Sequence, residues 1–326
     1  MTLVRERRQK QPLSLSLPHI SPAADTWCQL LSSPPSSISS SSSPGTGSLS
    51  EFEKLQVLGH GSGGVVYKVR CRQTGEIYAV KILRCGESGM REVDVVRRVE
   101  CEFLVECHGI NAEVVVGNDC SVPVGDVFLV MEYMREGSVR EVLEKRGRLG
   151  EGVIGYLARR VLKGLKYLHG MNIVHGDIKP SNLLINSEWE VKIADFGVSR
   201  VSDEEFESSS MGTCAYMSPE RLDPGRWPEG SSAGFSGDVW AVGVVVMECF
   251  LGHFPLLDEG HKPDWASMVC AVSFGGDTMR PPENASPELQ GFIMRCLVKD
   301  WRSRATVEEL LNHPFVTKYC DVWKMN

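Results

Sequence analysis

The chain has 326 residues, 42% of them hydrophobic and 24% charged, with a net charge of −7. That balance fits a soluble globular protein of one or two domains, and its mild acidity offers no general attraction for nucleic acid or anionic membrane. The eleven cysteines form no C-x-x-C pair and have no ligand-spaced histidine, so they read as reduced thiols of the cytoplasm or nucleus rather than a disulfide framework or zinc site.

Residues 1–31 form a tail that carries Arg5-Glu-Arg-Arg-Gln-Lys10 and then Leu13-Ser-Leu15-Ser-Leu17. Basic residues ahead of alternating leucines resemble the docking motif by which mitogen-activated protein kinase kinases grip their substrate kinases. The resemblance implies that Arg7 and Arg8 meet an acidic patch while Leu13, Leu15 and Leu17 enter an apolar groove. An organellar transit peptide, also Arg- and Ser-rich, or a merely solvated tail stays open beside it. Residues 32–50 hold eleven serines, three prolines and two glycines. Such a stretch buries too little to offset its ordering entropy and is expected to be a disordered linker.

From residue 51 the patterns of a folded domain begin, strand-rich at first. Gly59-His-Gly61-Ser-Gly-Gly64 is a G-x-G-x-x-G run. A dinucleotide-binding fold would open a helix there, whereas Val65-Val-Tyr-Lys-Val-Arg70 continues as a second strand. A strand, glycine turn and strand let backbone N–H groups approach nucleotide phosphates closely. Lys81 is the only charge in Ile77-Tyr-Ala-Val-Lys-Ile-Leu83. An edge-strand lysine would look the same, but behind a glycine loop it resembles the protein kinase lysine that holds the α- and β-phosphates of ATP.

A buried lysine needs a carboxylate, because breaking such a pair costs on the order of 3–5 kcal/mol. Glu92 in Met90-Arg-Glu-Val-Asp-Val-Val-Arg-Arg98 is the candidate, and Asp94, on another helix face, is the rival. The interval from Lys81 is short for the kinases it resembles, and Gly86 and Gly89 weaken a helix start, so a truncated helix is predicted. Phe128-Leu-Val-Met131 reads as a buried strand leading to Glu132-Tyr-Met134. The resemblance implies that Met131 guards the pocket, that the backbone of Glu132 and Met134 hydrogen-bonds adenine, and that Leu58, Gly59, Gly61, Gly64, Val66 and Ala79 enclose the nucleotide with Lys81 and Glu92.

The remainder reads as helical. Ile154, Leu157, Val161, Leu165 and Leu168 recur at helical spacing and mark an amphipathic helix ending near Gly170. It delivers His175-Gly-Asp-Ile-Lys-Pro-Ser-Asn182, which is answered by the strand-like Val191-Lys-Ile-Ala194 and then Asp195-Phe-Gly197. Phosphoryl transfer asks for an acid beside the attacking hydroxyl and oxygen ligands for Mg²⁺. Asp177 would orient that hydroxyl with Lys179 beside it, while Asn182 and Asp195 would hold metal. A polar turn would share this composition but not its order and spacing, which resemble the protein kinase catalytic loop and its D-F-G partner.

Gly212-Thr-Cys-Ala-Tyr-Met-Ser-Pro-Glu220 resembles the substrate-binding end of a kinase activation segment. There Thr213 would hydrogen-bond near Asp177 and Lys179, and Glu220 would pair with Arg304. Gly237-Asp-Val-Trp240 would cap a buried helix, with Asp238 bracing the catalytic-loop backbone. The apolar run from Val239 to Phe250, interrupted by Glu248, is too short to span a bilayer and reads as that helix's core. The domain is expected to close near Phe315, at residue 316, leaving residues 317–326 as a tail.

Residues 52–315 thus match the protein kinase pattern nearly end to end. The resemblance implies an α+β, two-lobed fold: an antiparallel sheet plus one helix in the N-lobe and a mainly helical C-lobe. Met211-Gly-Thr-Cys-Ala-Tyr-Met-Ser-Pro-Glu-Arg221, Gly252-His-Phe-Pro-Leu-Leu257 and Lys262-Pro-Asp-Trp-Ala266 narrow it to plant mitogen-activated protein kinase kinases of the short-chain group D. Such enzymes use ATP and Mg²⁺ to phosphorylate threonine and tyrosine in the activation loop of a downstream mitogen-activated protein kinase. An upstream kinase as partner, a monomeric state and a cytoplasmic or nuclear place follow as expectations, with no nucleic-acid or membrane partner.

Two departures from that family touch regulation. Most kinases of this type carry arginine after the catalytic-loop histidine, where it binds the phosphorylated activation segment; here the position is Gly176. Counting back from Thr213, the family's two phosphoacceptors fall at Asp203 and Ser209, or at Ser202 and Ser208 in a neighbouring register. A scaffold that binds cascade partners without phosphorylating them, or a Ser/Thr kinase outside the cascade, remains the alternative. The joint presence of Lys81, Asp177, Asn182 and Asp195 favours an active enzyme.

Overall fold

The computed structural model describes residues 49–61, 64–83, 87–112, 127–201, 214–226, 232–257, 264–274 and 280–319. Arg7, Arg8, Leu13, Leu15 and Leu17 lie outside the described residues, as do Ser202, Asp203, Ser208, Ser209 and Thr213. The expected linker stops short of its predicted end: Leu49–Glu51 form a 3₁₀ turn, and Leu49 is fully buried. A leucine after a run of serines is the first residue able to anchor the chain to a core.

The first lobe is an antiparallel five-stranded sheet in the order β1 (Phe52–Gly61), β2 (Gly64–Cys71), β3 (Ile77–Leu83), β5 (Val127–Glu132) and β4 (Cys107–Ala112). β3 sits in the middle and is buried along nearly its whole length, its charged Lys81 included. Helix α1 (Glu87–Arg98) follows it directly. The helix runs for 12 residues with Gly89 inside its first turn, and it buries Val93, Val95 and Val96.

The second lobe is helical: α2 (Val139–Arg146), α3 (Glu151–Gly170), α4 (Pro219–Leu222), α5 (Ala233–Leu251), α6 (Trp265–Phe274), α7 (Pro287–Cys296), α8 (Val307–Leu311) and α9 (Pro314–Lys318). α3 buries Ile154, Leu157, Val161, Leu165 and Leu168, the residues its spacing singled out. Short strands β6 (Gly137–Ser138), β8 (Leu183–Ile185) and β9 (Val191–Ile193) form one small sheet, and β7 (Ile173–Val174) pairs with β10 (Arg200–Val201). The lobes meet where Val105 N–H donates to Ile193 O at 2.9 Å and Ile193 N–H to Phe103 O at 2.9 Å, which ties the connection between α1 and β4 to the strand before Asp195.

One expectation is corrected here. Residues Gly237–Trp240 do not cap the central helix: α5 begins at Ala233 behind Ser232 and places Asp238 in its second turn. By length and composition alone α5 could cross a membrane. It is instead buried on nearly every side, the hydrophobic axis against which α3 and α7 pack.

Candidate active site

Three elements converge on one ammonium. Lys81 Nζ lies 2.6 Å from Glu92 Oε1 on α1 and 2.7 Å from Asp195 Oδ1 in the turn after β9. Lys81 and Glu92 are only 3% and 2% exposed, so each charge is intelligible only through the others. Asp94 faces solvent on the outside of α1 and takes no part. Burial penalises the Lys81 ammonium, but Asp195 and Glu92 outweigh it and hold the amine above its usual range. Burial also opposes the Asp195 charge, yet Lys81 keeps that carboxyl below its usual range, while burial pushes Glu92 up against the pull of Lys81.

The ladder of β2, β3 and β5 arranges the neighbouring wall. Ala79 and Lys81 share a face of β3; Ala79 pairs with Met131 and Lys81 with Val66. Leu58 is exposed on β1. Gly61 pairs with Gly64 across the turn, whose tip residues Ser62 and Gly63 lie outside the described residues. A Cβ on Gly64 would run into the carbonyl of Ile82, so that glycine is demanded by the close approach of β2 to β3 as well as by any phosphate. At the end of β5, the Glu132 N–H is already given to Glu106 O at 3.0 Å, and the Met134 carbonyl accepts from Gly137 N–H at 3.2 Å. The pair can therefore offer a purine an acceptor at Glu132 O and a donor at Met134 N. The Glu132 carboxylate points elsewhere, 2.6 Å from Lys192 Nζ on β9.

The catalytic-loop candidate hangs from Asp238. Its Oδ2 accepts from His175 N–H at 3.0 Å and its Oδ1 from Gly176 N–H at 2.8 Å, with His169 Nε2 2.9 Å from Oδ2. Burial works against this carboxylate, but the His169 bond and the nearby donors hold it below its usual range. His175 is fully buried; its Nδ1 accepts from Asp177 N–H at 3.2 Å and its Nε2 meets Ala194 O at 3.2 Å.

Asp177 and Asn182, five positions apart, are joined directly. Asn182 Nδ2 donates to both Asp177 O and Asp177 Oδ2 at 2.9 Å, and Lys179 Nζ lies 2.7 Å from the same Oδ2. With its nitrogen committed, Asn182 has Oδ1 to offer a cation. Ala194 N–H donates to Asn182 O at 2.9 Å, which sets Asn182 beside the start of the D-F-G turn. Asp195 has φ +67°, a left-handed backbone that costs a non-glycine residue roughly 1–2 kcal/mol and that turns the carboxylate toward Lys81. The donor set is oxygen only, and among the described residues no group of three or more His, Cys, Asp or Glu could hold a metal. Two protein oxygens suit a hard cation that takes its other ligands from phosphate and water, not a zinc-type cage.

Two further clusters flank the site. Glu220 Oε1 and Oε2 accept from Arg304 Nη1 and Nη2 at 2.8 and 2.9 Å, both side chains fully buried. This is the expected pair and a structural one. The other cluster was not foreseen: Glu248 receives Tyr216 OH at 2.7 Å and lies 2.8 Å from Arg140 Nη1, while Arg140 Nη2 donates to Tyr216 OH at 2.7 Å. The signal was present, since Glu248 is the one charge in an apolar run and had to be paired. These bonds tie α2 and α5 to the 3₁₀ turn Cys214–Tyr216.

Comparison with known proteins agrees with the geometry. The protein kinase domain family model matches residues 52–316. The chain is 47% identical over 322 residues to mitogen-activated protein kinase kinase 10 of Arabidopsis thaliana, covering 97% of this chain and 99% of that one. It is 45% identical over 327 residues to mitogen-activated protein kinase kinase 9 and 42% identical over 330 residues to mitogen-activated protein kinase kinase 7 of the same plant, again over 97% of this chain and 99% of each.

Proposed function

This chain belongs to the mitogen-activated protein kinase kinases, a branch of the protein kinase family, and on that premise we propose that it transfers the γ-phosphoryl group of ATP to threonine and tyrosine in the activation loop of a mitogen-activated protein kinase. The observation that carries the reading is the Lys81 ammonium held between Glu92 and Asp195 at 2.6 and 2.7 Å, in one site with the bonded Asp177–Asn182 pair.

Each residue then has a task. The β1–β2 glycine turn covers the phosphates, Lys81 fixes the α- and β-phosphates, and Ala79, Val66, Leu58 and Met131 enclose adenine, which bonds Glu132 O and Met134 N. Asp177 accepts the hydrogen bond of the attacking hydroxyl and orients it. Lys179, 2.7 Å from Asp177, places positive charge where the transferring phosphoryl passes. Asn182 Oδ1 and the Asp195 carboxylate would hold Mg²⁺, which supplies charge neutralisation at the β- and γ-phosphates.

The reading extends to partners. The tail Arg7, Arg8, Leu13, Leu15 and Leu17 docks the substrate kinase, an upstream kinase acts on the segment that holds Asp203, Ser208 and Ser209, and the enzyme works as a monomer in cytoplasm or nucleus. The test is transfer of labelled phosphate from ATP, with Mg²⁺ titrated from zero, to a panel of catalytically dead mitogen-activated protein kinases and a generic protein. Mg²⁺-dependent label on threonine and tyrosine of a panel member's activation loop is expected. No transfer to any panel member, with ATP bound normally, would mean a scaffold; label on the generic protein alone would mean a kinase outside the cascade.

A further inference from the structure

Arg221 has no role in the account so far, yet its guanidinium reaches the catalytic loop. It belongs to α4, directly after the run that closes the activation segment. Its Nη1 donates to the carbonyl of Gly176 at 2.6 Å. That carbonyl belongs to the peptide whose N–H is the Asp177 amide, donated in turn to His175 Nδ1 at 3.2 Å. On the other side the Gly176 N–H is held by Asp238 Oδ1 at 2.8 Å. Both peptide planes around Gly176 are therefore fixed from outside the loop.

The need for this is local. Gly176 has φ +77° and no side chain, and glycine has the widest backbone freedom of any residue. It stands immediately before the carboxylate that faces the nucleophile. A Cβ at Gly176 would sit 3.8 Å from Arg221 Nη1 and 3.4 Å from Val198 O, so the guanidinium occupies the approach to the bare position. A charged donor bonds a carbonyl more strongly than a neutral one.

We propose that Arg221 is a positioning residue for Asp177: it fixes the Gly176–Asp177 peptide from the end of the activation segment, through a main-chain carbonyl, where the sequence provides no side chain to do so. The ordering of the activation segment's end is thereby transmitted to the carboxylate that orients the hydroxyl. This rests on the reading of Asp177 given above.

The experiment compares the full chain carrying Arg221→Gln, Arg221→Lys or Asp177→Asn with wild type, by steady-state kinetics, thermal unfolding and hydrogen exchange of the stretch 175–182. Arg221→Gln is expected to lower kcat about tenfold or more, since displacement of a catalytic group by about 1 Å costs up to a hundredfold. The KM for ATP should stay within about twofold, because substrate binding is untouched. Arg221→Lys should recover most of the rate, as an ammonium can reach the same carbonyl, and amide exchange at Asp177 should accelerate only in Arg221→Gln. Wild-type kcat in Arg221→Gln overturns the proposal. So does a loss that Arg221→Lys shares fully and that follows a lowered unfolding temperature, which would make Arg221 merely structural. Asp177→Asn separates the levels: if it still transfers phosphate the reading of the site falls with the proposal, and if it is silent while Arg221→Gln runs at full rate only the positioning role falls.

Discussion

Lys81→Met leaves Glu92 and Asp195 facing a methyl group in a buried site, so the loss is structural as well as functional. Breaking a buried pair costs on the order of 3–5 kcal/mol; the unfolding temperature should fall and the KM for ATP should rise. Asp94→Asn, on the exposed side of the same helix, should change neither, and a large effect there would return Asp94 to contention. Asp238 supports a second residue-scale prediction. Its folded-state pKa lies below that of the unfolded chain, so the stability it contributes is present above the unfolded value of about 3.9 and is lost as pH falls through the folded value. The stability gap between wild type and Asp238→Asn should thus be constant from neutral pH to about pH 4 and shrink below it. A gap that grows on acidification would reverse the sign and the assignment. Lys81, Asp177, Asn182 and Asp195 could be named from the sequence because their order and spacing resemble the protein kinase pattern, and the structure joins Lys81 to Asp195 and Asp177 to Asn182. Arg221 and Arg140 could not be, since each meets its partner only after distant elements have packed.

At the scale of the element, α3 was legible because its apolar residues repeat at helical spacing and nothing interrupts them, and β3 because a lone lysine stood in an apolar run. The start of α5 was not. Ala233-Gly-Phe-Ser-Gly237 carries two glycines, poor helix formers in isolation. Packing overrides that propensity, for a Cβ on Gly234 would crowd the Val174 side chain and one on Gly237 would meet Ser218 Oγ at 3.3 Å. The same helix carries Glu248 into the core, where Tyr216 OH bonds one carboxylate oxygen and the Arg140 guanidinium lies 2.8 Å from the other. Tyr216→Phe removes both the bond donated to Glu248 and the one accepted from Arg140 and should cost about 1–3 kcal/mol of stability. Because the Cys214–Tyr216 turn lies in the run that resembles the substrate-binding end of a kinase activation segment, the KM for a protein substrate is expected to rise more than the KM for ATP; an equal change in both would confine the cluster to folding. The tail permits a separate prediction. Each leucine is worth roughly 1.5–3 kcal/mol at best, less the ordering of the tail. Leu15→Ala with Leu17→Ala should therefore weaken binding of the substrate kinase about tenfold while leaving a short generic peptide unaffected. Equal loss on both would assign the tail to folding or targeting.

For the molecule as a whole, the two lobes share one charged cluster: Lys81 on the sheet and Glu92 on α1 belong to one lobe, Asp195 to the other. The α+β division was readable from the change of pattern along the chain, strands before Met134 and helical periods after it. The joints between lobes, such as Val105 with Ile193, leave no periodic trace in a sequence. The acidic segment with Asp203 and without an arginine at position 176 leads to an expectation of weak dependence on upstream phosphorylation, so Ser208→Ala and Ser209→Ala should keep most activity in vitro. A rise of about a hundredfold, some 2.7 kcal/mol of barrier, on phosphorylating either serine of an inert wild type would contradict it. The claim beneath all of this is that the site built on Asp177, Asn182, Lys81 and Asp195 transfers phosphate. The most direct measurement sets wild type and Asp177→Asn side by side, with nucleotide affinity and phosphate transfer to a mitogen-activated protein kinase read on the same preparations. The account predicts nearly unchanged ATP affinity and a transfer rate lower by about a hundredfold to ten-thousandfold in Asp177→Asn. Transfer at the wild-type rate by Asp177→Asn would contradict it.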